Sequence, residues 1–173
     1  MQKPERKRVG ISVRGGFLGD GEESIPHIYS YLLEHGYDPV FLVHTTSGDE
    51  QQNDLLFIKR IMAGMTYNIT GTIEQTMKVY PTLHAVIGMR YHAGVLACVH
   101  DIPCIMVSYG PKTEELVNLL SIKELTLFLG DVSFDNFEKM WHTLEANYDT
   151  YATRMRDRHQ KIRSDLMKML QNL

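Results

Sequence analysis

Short apolar runs rich in β-branched residues alternate along the chain with longer amphipathic stretches. Six of these runs are predicted strands: Val9–Arg14, Asp38–His44, Tyr67–Thr70, His84–Gly88, Pro103–Ser108 and Leu125–Leu129. Five amphipathic stretches between them are predicted helices: Glu22–His35, Asp49–Gly64, Thr72–Tyr80, Tyr91–Val99 and Pro111–Leu120. The second, fourth and fifth strands are almost continuously apolar, which is typical of strands covered on both faces. The pattern therefore predicts an α/β fold with a doubly wound, Rossmann-like parallel sheet.

The last segment has a different periodicity. Beginning with a predicted cap at Ser133, apolar residues recur at steps of four and three, with one gap, as far as Leu173. A continuous helix of that length would span ~60 Å, well beyond the width of one small domain. A break near Asn147–Asp149 would let the second half fold back; otherwise that half packs on a missing domain or on a second copy of the chain. We predict an α/β domain over residues 1–132 and a helical segment over residues 133–173.

Composition and charge exclude several classes of function. The net charge of −3 over 173 residues gives no basic excess for tracking a nucleic-acid backbone. Cys98 and Cys104 both lie in apolar segments, outside any Cys/His cluster, so we predict reduced core cysteines and no metal site. No apolar run approaches the ~18 residues of a membrane span, and the first residues are polar. These features predict a cytoplasmic protein.

In an open parallel sheet, ligands bind beyond the carboxyl ends of the strands. The segments that follow the first five predicted strands are Arg14–Gly16, His44–Ser47, Thr70–Thr72, Gly88–His92 and Ser108–Lys112. They contain two arginines, two histidines, a lysine and several hydroxyls, but no carboxylate. This set suits a small, multiply charged anion and lacks the acidic groups of a Mg²⁺ or glycosidase site.

Each of these groups also has a purely structural interpretation. Arg14 could extend to solvent, and His44 could cap a strand. The Thr70–Thr72 segment could cap a helix rather than cradle a phosphate with its backbone amides. Arg90 and His92 are harder to explain in this way, because two cationic or titratable groups beside a buried strand are costly unless an anion arrives. We therefore predict that the Arg90-Tyr91-His92 turn is the working site.

The residues around this turn resemble a known family. The run from Ala85 to Ala93 (AVIGMRYHA), followed by Ile102-Pro103 and then by Ser108 to Lys112 (SYGPK), is similar to the signature of polysaccharide pyruvyl transferases. The strand ending at Arg14 and the helix start Thr70–Gln75 also resemble this family. Three positions depart from the family pattern: Tyr91 replaces a commoner leucine, Gly110 replaces an aspartate, and His84 replaces the usual aspartate before the AVIGM run.

The resemblance implies an enzyme of glycosyltransferase-B-like architecture, of which this chain is the C-terminal, donor-binding half. Such enzymes transfer pyruvate from phosphoenolpyruvate to two sugar hydroxyls as a ketal in cell-surface polysaccharides, and the chain alone is then an incomplete enzyme. The implied catalytic residues are His92 and Arg90, with phosphoenolpyruvate as donor and no further cofactor. The residues predicted to bind the donor are Arg14, Thr70, Gly71, Thr72, Arg90, Tyr91, His92, Ser108, Tyr109 and Lys112.

Other functions stay open at this level. A nucleotide-sugar-binding domain of a glycosyltransferase or epimerase would share the fold, although no carboxylate suited to a ribose stands out beyond Glu114 and Glu115. A phosphoacceptor signalling domain is disfavoured, because Arg14 and Thr70 stand where it needs acidic residues. A non-catalytic anion-binding or regulatory domain is a third alternative. The expected partners are phosphoenolpyruvate, a saccharide acceptor, and either a missing N-terminal domain or a second copy bound through the last helix.

Overall fold

The computed structural model describes residues 6–171. Residues 1–5, which belong to the polar start of the chain, and the last two residues of the predicted final helix lie outside the described part. The strands are β1 (Arg8–Ser12), β2 (Asp38–Phe41), β3 (Asn68–Ile69), β4 (Leu83–Gly88), β5 (Cys104–Ser108) and β6 (Thr126–Phe128). The helices are α1 (Ser24–Glu34), α2 (Asp54–Ile61), α3 (Ile73–Val79), α4 (Tyr91–Val99), α5 (Pro111–Leu120), α6 (Phe134–Ala146) and α7 (Tyr148–Gln171).

The six strands form one parallel sheet in the order β3-β2-β1-β4-β5-β6. Every apolar residue of β2, β4 and β5 is buried, as their continuous apolar sequences predict. Helices cover the sheet, with α1 packed on α6 and with α4 packed on α5 and α7. The predicted doubly wound parallel sheet is therefore confirmed.

Several predicted boundaries differ from the structure by a few residues, and two of them, the start of α2 and the end of β1, bear on the site. The second helix begins at Asp54 rather than Asp49, because Asn53 caps it by accepting hydrogen bonds from the amides of Leu55 and Leu56. The residues before it form a turn in which the Asp49 carboxylate accepts the Gln51 amide. The first strand ends two residues before Arg14, so that Arg14 belongs to the loop that follows β1.

The final segment breaks at Asn147, within the range that the sequence leaves open for a break. Asn147 ends α6, and α7 begins at the next residue. The first half of α7 is anchored by the buried side chains Tyr151 and Met155. Beyond Ile162, which contacts the core, the apolar residues of α7 are more than half exposed: Leu166, Met167, Met169 and Leu170. That a missing domain or a second copy of the chain covers this end of α7 stays a prediction. The division of the chain at residue 132 also stays a prediction.

None of the helices between residues 6 and 171 is both long enough and apolar enough to cross a membrane.

Candidate functional site

The loops after β1 and β4 meet where the order of strands along the sheet reverses. These two strands are neighbours, and Ser12 lies beside Gly88 at their carboxyl ends. Such a switch point is where open α/β sheets form their ligand crevice. The Gly88 position is crowded, since a β-carbon there would lie 3.1 Å from the Ala93 side chain and from the Met106 sulfur. Because Gly88 has no side chain, the end of β4 lies close against α4, which starts at the predicted Arg90-Tyr91-His92 turn.

Arg90 is bound to a buried carboxylate. Its Nε donates to Asp54 Oδ1 at 2.9 Å, and its Nη2 donates both to the same oxygen and to the Gln52 carbonyl oxygen. Asp54 is fully buried, and its second oxygen accepts the amides of His44 at 2.8 Å and Thr45 at 3.1 Å. Burial raises the pKa of the Asp54 carboxyl, and the hydrogen bonds from Arg90 and the two amides oppose that shift.

This ion pair changes the reason for suspecting Arg90. Its charge is compensated within the protein, so burial of the guanidinium does not by itself require an incoming anion. Three of its five N–H donors are used in these contacts, and only Nη1 has no acceptor within residues 6–171. Asp54 is the residue that the sequence reasoning missed. Its position on the same helical face as Phe57 and Ile58, three and four residues later, is the signal that could have revealed a buried acid.

Arg14 has the opposite environment. Within the described residues it forms no ion pair, and its buried Nε has no acceptor. Its guanidinium carbon lies 4.5 Å from the centre of the Phe17 ring and 5.6 Å from that of Tyr109. Its Nη1 also makes a long hydrogen bond of 3.4 Å to the Tyr109 hydroxyl. The positive charge of Arg14 is therefore held by aromatic rings and is not neutralised by a carboxylate.

The predicted residues Tyr91, His92 and Lys112 form a second group. The Lys112 ammonium lies 4.6 Å from the centre of the Tyr91 ring, and the His92 ring meets the edge of the same tyrosine. His92 and Lys112 are exposed in the first turns of α4 and α5, respectively. A basic side chain in the first turn of a helix is disfavoured by the helix dipole, which is consistent with an anion between these helices.

His44 lies beneath the turn and is used internally. Its Nδ1 is 3.1 Å from the Ser12 hydroxyl, and its Nε2 is 3.0 Å from the Tyr80 hydroxyl. Burial, followed by the charges of Arg90 and His92, lowers the pKa of His44 to about 4. His44 is therefore neutral near pH 7 and links β1 and β2 to the end of α3, in agreement with its structural interpretation.

The low pKa of His44 predicts a loss of stability in mild acid. Below pH 6.5 the unfolded chain protonates this histidine while the folded chain does not, so unfolding is favoured until the pH falls to about 4. For this residue alone, the free energy of unfolding should fall by about 2 kcal/mol from pH 7 to pH 5. Urea unfolding at both pH values measures this loss. His44→Gln should show a smaller pH-dependent loss than the wild type; an equal loss would show that other groups cause it.

The predicted Thr70–Thr72 cradle is occupied by internal bonds. The Thr70 hydroxyl lies 2.6 Å from that of Thr76 and accepts the Val43 amide. The Gly71 amide donates to the Gln75 side chain, while Thr72 caps α3 by accepting the Gln75 amide. These contacts are close to those of a capping box, with the Gln75 side chain accepting the amide one residue before the cap, so the capping interpretation accounts for this segment. The segment follows β3 at the edge of the sheet, with β2 between it and β1.

The segment after β5 divides into buried and accessible parts. The Ser108 hydroxyl is buried and lies 2.9 Å from that of Thr113, which also accepts the amides of Tyr109 and Gly110. These bonds shape the loop and leave Ser108 turned into the protein. Tyr109 instead extends to Arg14, so the structure brings Arg14, Tyr109, Tyr91, His92 and Lys112 to the same end of the sheet. Within the described residues, no three His, Cys, Asp or Glu side chains are grouped closely enough to hold a metal ion.

This fold and this sheet edge define a Rossmann-like domain of glycosyltransferase-B-like architecture. The family model of polysaccharide pyruvyl transferase matches residues 11–111, which is more than half of the chain. The chain therefore belongs to the polysaccharide pyruvyl transferase family, as the AVIGMRYHA and SYGPK runs predict. No curated protein matches it in sequence.

Solved structures support the architecture. A protein assigned as a UDP-N-acetylglucosamine 2-epimerase from Listeria monocytogenes is similar with a TM-score of 0.60 at 11% identity, over 98% of this chain and 47% of its own. The glycosyltransferase SnogD from Streptomyces nogalater has a TM-score of 0.55 at 12% identity, over 95% and 44%. The glycotransferase of kitacinnamycin has a TM-score of 0.56 at 12% identity, over 98% and 44%. The chain thus spans a little under half the length of these proteins, and identities this low show the shared fold alone.

Proposed function

We propose that this chain binds phosphoenolpyruvate and forms the donor site of an enzyme that transfers pyruvate to saccharide hydroxyls as a ketal. The observation that carries the proposal is Arg14. It lies at the switch point of the sheet with a buried Nε that lacks an acceptor, and within residues 6–171 it pairs with no carboxylate. A guanidinium in this state gains most from an anionic ligand, because the ligand supplies the missing acceptors and charge.

The surrounding groups fit the two charged ends of phosphoenolpyruvate. Its phosphate and its carboxylate each require donors, and Arg14, Lys112 and the free Nη1 of Arg90 are available at this edge. The ion pair with Asp54 holds Arg90 in place while leaving that one nitrogen for a ligand. Thr70, Gly71, Thr72 and Ser108 contribute to the shape of the edge, and Arg14, Arg90 and Lys112 are the proposed contacts, with Tyr91 and Tyr109 beside them.

His92 is the proposed proton donor, since it is exposed at this edge and histidine is the side chain that most often acts as a general acid. A proton passes from His92 to the methylene carbon, giving a methyl group beside an oxocarbenium centre. A sugar hydroxyl attacks that centre and returns its proton to His92. Phosphate then leaves with its bonding electron pair and takes the proton of the second hydroxyl, which closes the ketal ring. The cations stabilise the charge that develops on the departing phosphate.

The acceptor saccharide and complete turnover belong to the proposed whole enzyme. The solved relatives are more than twice as long as this chain, so acceptor contacts are expected from a further domain. The reaction as written needs no oxidant, reductant or further cofactor, and the resident groups of the site suffice for the proton transfers.

A second candidate is the binding of a nucleotide sugar, which is favoured by the shared fold of two glycosyltransferases and of a protein assigned as a UDP-sugar epimerase. A diphosphate would also find cations at this edge. Asp54 is not available to the ribose hydroxyls, because Arg90 and the loop amides already bind it, so Glu114 and Glu115 of α5 are the exposed carboxylates beside this edge. Phosphoenolpyruvate needs no acidic partner and is the donor that the family implies, so it is the better fit.

Calorimetric titration separates the two candidates and tests the role of Arg14. We expect phosphoenolpyruvate to bind the wild type and UDP-N-acetylglucosamine to give no comparable heat. Arg14→Met should weaken phosphoenolpyruvate binding by about 10- to 100-fold, because charge-assisted hydrogen bonds are lost without leaving a carboxylate unpaired. Arg163→Met, which removes an exposed arginine of α7, is the matched control and should bind like the wild type. Equal affinities in Arg14→Met and wild type would remove the donor-site proposal, and binding of the nucleotide sugar alone would favour the second candidate.

A further inference from the structure

The cations of the site are held in two different ways. Arg90 is held by the carboxylate of Asp54, which lies within hydrogen-bond distance of both Nε and Nη2. Arg14 and Lys112 have no such partner within the described residues. Their charged groups lie instead over aromatic rings, Arg14 over Phe17 and Lys112 over Tyr91.

The two kinds of partner have different consequences for a ligand. A carboxylate orients a guanidinium and also neutralises it, which weakens its attraction for a second anion. An aromatic ring attracts a cation through its quadrupole but carries no net charge. A cation placed over a ring is therefore restrained while its full positive charge stays available.

We propose that Phe17, Tyr91 and Tyr109 are positioning residues that hold Arg14 and Lys112 over the switch point while leaving their charges free for an anionic ligand. This inference rests on the proposed function of the edge as an anion site and specifies how its cations are arranged. Phe17 and Tyr109 also contact each other, with ring centres 4.9 Å apart, so that the loops after β1 and β5 meet around Arg14. The Tyr109 hydroxyl adds a polar contact to Nη1 of Arg14.

Tyr91 carries the sharpest part of the inference, since its ring is the group that the Lys112 ammonium lies over. Leucine would fill the space between α4 and α5 but would offer no ring face to an ammonium. Lys112 is exposed and flexible, so holding it in advance reduces the entropy lost when it binds an anion. The Tyr91 ring and the position of Lys112 are therefore expected to be coupled.

The coupling is tested by a double-mutant cycle on phosphoenolpyruvate affinity, measured by calorimetry. Tyr91→Leu should weaken binding by about two- to fivefold, the size expected for a cation–π contact at an exposed site. Tyr91→Phe keeps the ring and should retain most of the affinity. In a Lys112→Met background, Tyr91→Leu should have no further effect, because the cation that the ring holds is already gone. Likewise, Phe17→Leu should weaken binding in the wild type and should have no further effect on affinity in an Arg14→Met background.

Lys168→Met removes an exposed lysine of α7 and serves as the control for loss of charge alone. Equal affinities of Tyr91→Leu and wild type, additive effects of Tyr91→Leu and Lys112→Met, or a Tyr91→Phe variant as weak as Tyr91→Leu would each overturn the positioning role. These outcomes leave the donor-site proposal standing, because the wild type still binds phosphoenolpyruvate. A wild type that does not bind phosphoenolpyruvate overturns both proposals.

Discussion

Replacing Asp54 by alanine should lower the free energy of unfolding by about 3–5 kcal/mol, the loss expected when one partner of a buried ion pair is removed. The substitution leaves the Arg90 guanidinium, whose side chain is only 14% exposed, without its carboxylate. It also removes the acceptor of the His44 and Thr45 amides, so that both become unsatisfied. Guanidinium chloride unfolding followed by circular dichroism measures this change.

A double-mutant cycle assigns the loss to the pair. Arg90→Met alone should also destabilise the fold, because it leaves a buried carboxylate uncompensated. The double variant should lose less than the sum of the two single losses. Asp157→Ala, an exposed acid on α7, is the control and should change stability by no more than about 0.5 kcal/mol. If Asp54→Ala resembled this control, the ion pair would be unimportant for the fold.

Replacing His92 by alanine should reduce turnover by about 10²- to 10⁴-fold, the usual contribution of a general acid. Because binding is assigned mainly to Arg14 and its neighbours, the affinity for phosphoenolpyruvate should fall only modestly. Phosphate release by the whole enzyme in the presence of a saccharide acceptor measures turnover, and calorimetry measures the affinity. A loss of turnover much larger than the loss of affinity distinguishes a proton donor from a residue that only binds phosphoenolpyruvate.

An exposed histidine away from the sheet edge provides the control. His27→Ala, on α1, should retain both turnover and affinity. If His92→Ala turned over at the wild-type rate, the catalytic role proposed for it would be wrong. If it lost affinity and turnover in equal proportion, His92 would be a binding residue instead.

Much of the fold could be predicted from local patterns. Continuous apolar runs such as His84–Gly88 and Pro103–Ser108 indicate strands buried on both faces, because an exposed face would require alternation. The break at Asn147 could be predicted from the excessive length of an unbroken helix. The start of α2 was placed five residues early, because the turn and the cap at Asn53 depend on a few polar side chains rather than on periodicity.

The placement of the candidate residues along one edge of the sheet was predictable, but their internal bonding was not. Residues at strand ends could be assigned to one edge of the sheet, since parallel strands share their direction. Thr70 and Ser108 were predicted as ligand contacts, yet their hydroxyls lie close to those of Thr76 and Thr113. Hydroxyls serve equally well in loops and in ligand contacts, and the residue types alone do not distinguish these uses.

The sequence by itself determined the sheet, the family, and the clustering of cationic groups around the Arg90-Tyr91-His92 turn. Only the tertiary structure decided which of those cations are free. Asp54 is 36 positions from Arg90, and Tyr109 is 95 positions from Arg14. Local periodicity does not predict such contacts, because they arise when loops from separate strands pack against one another. The free charge of the candidate site accordingly lies on Arg14 and Lys112 beside aromatic rings, while the charge of Arg90 is paired with the buried Asp54.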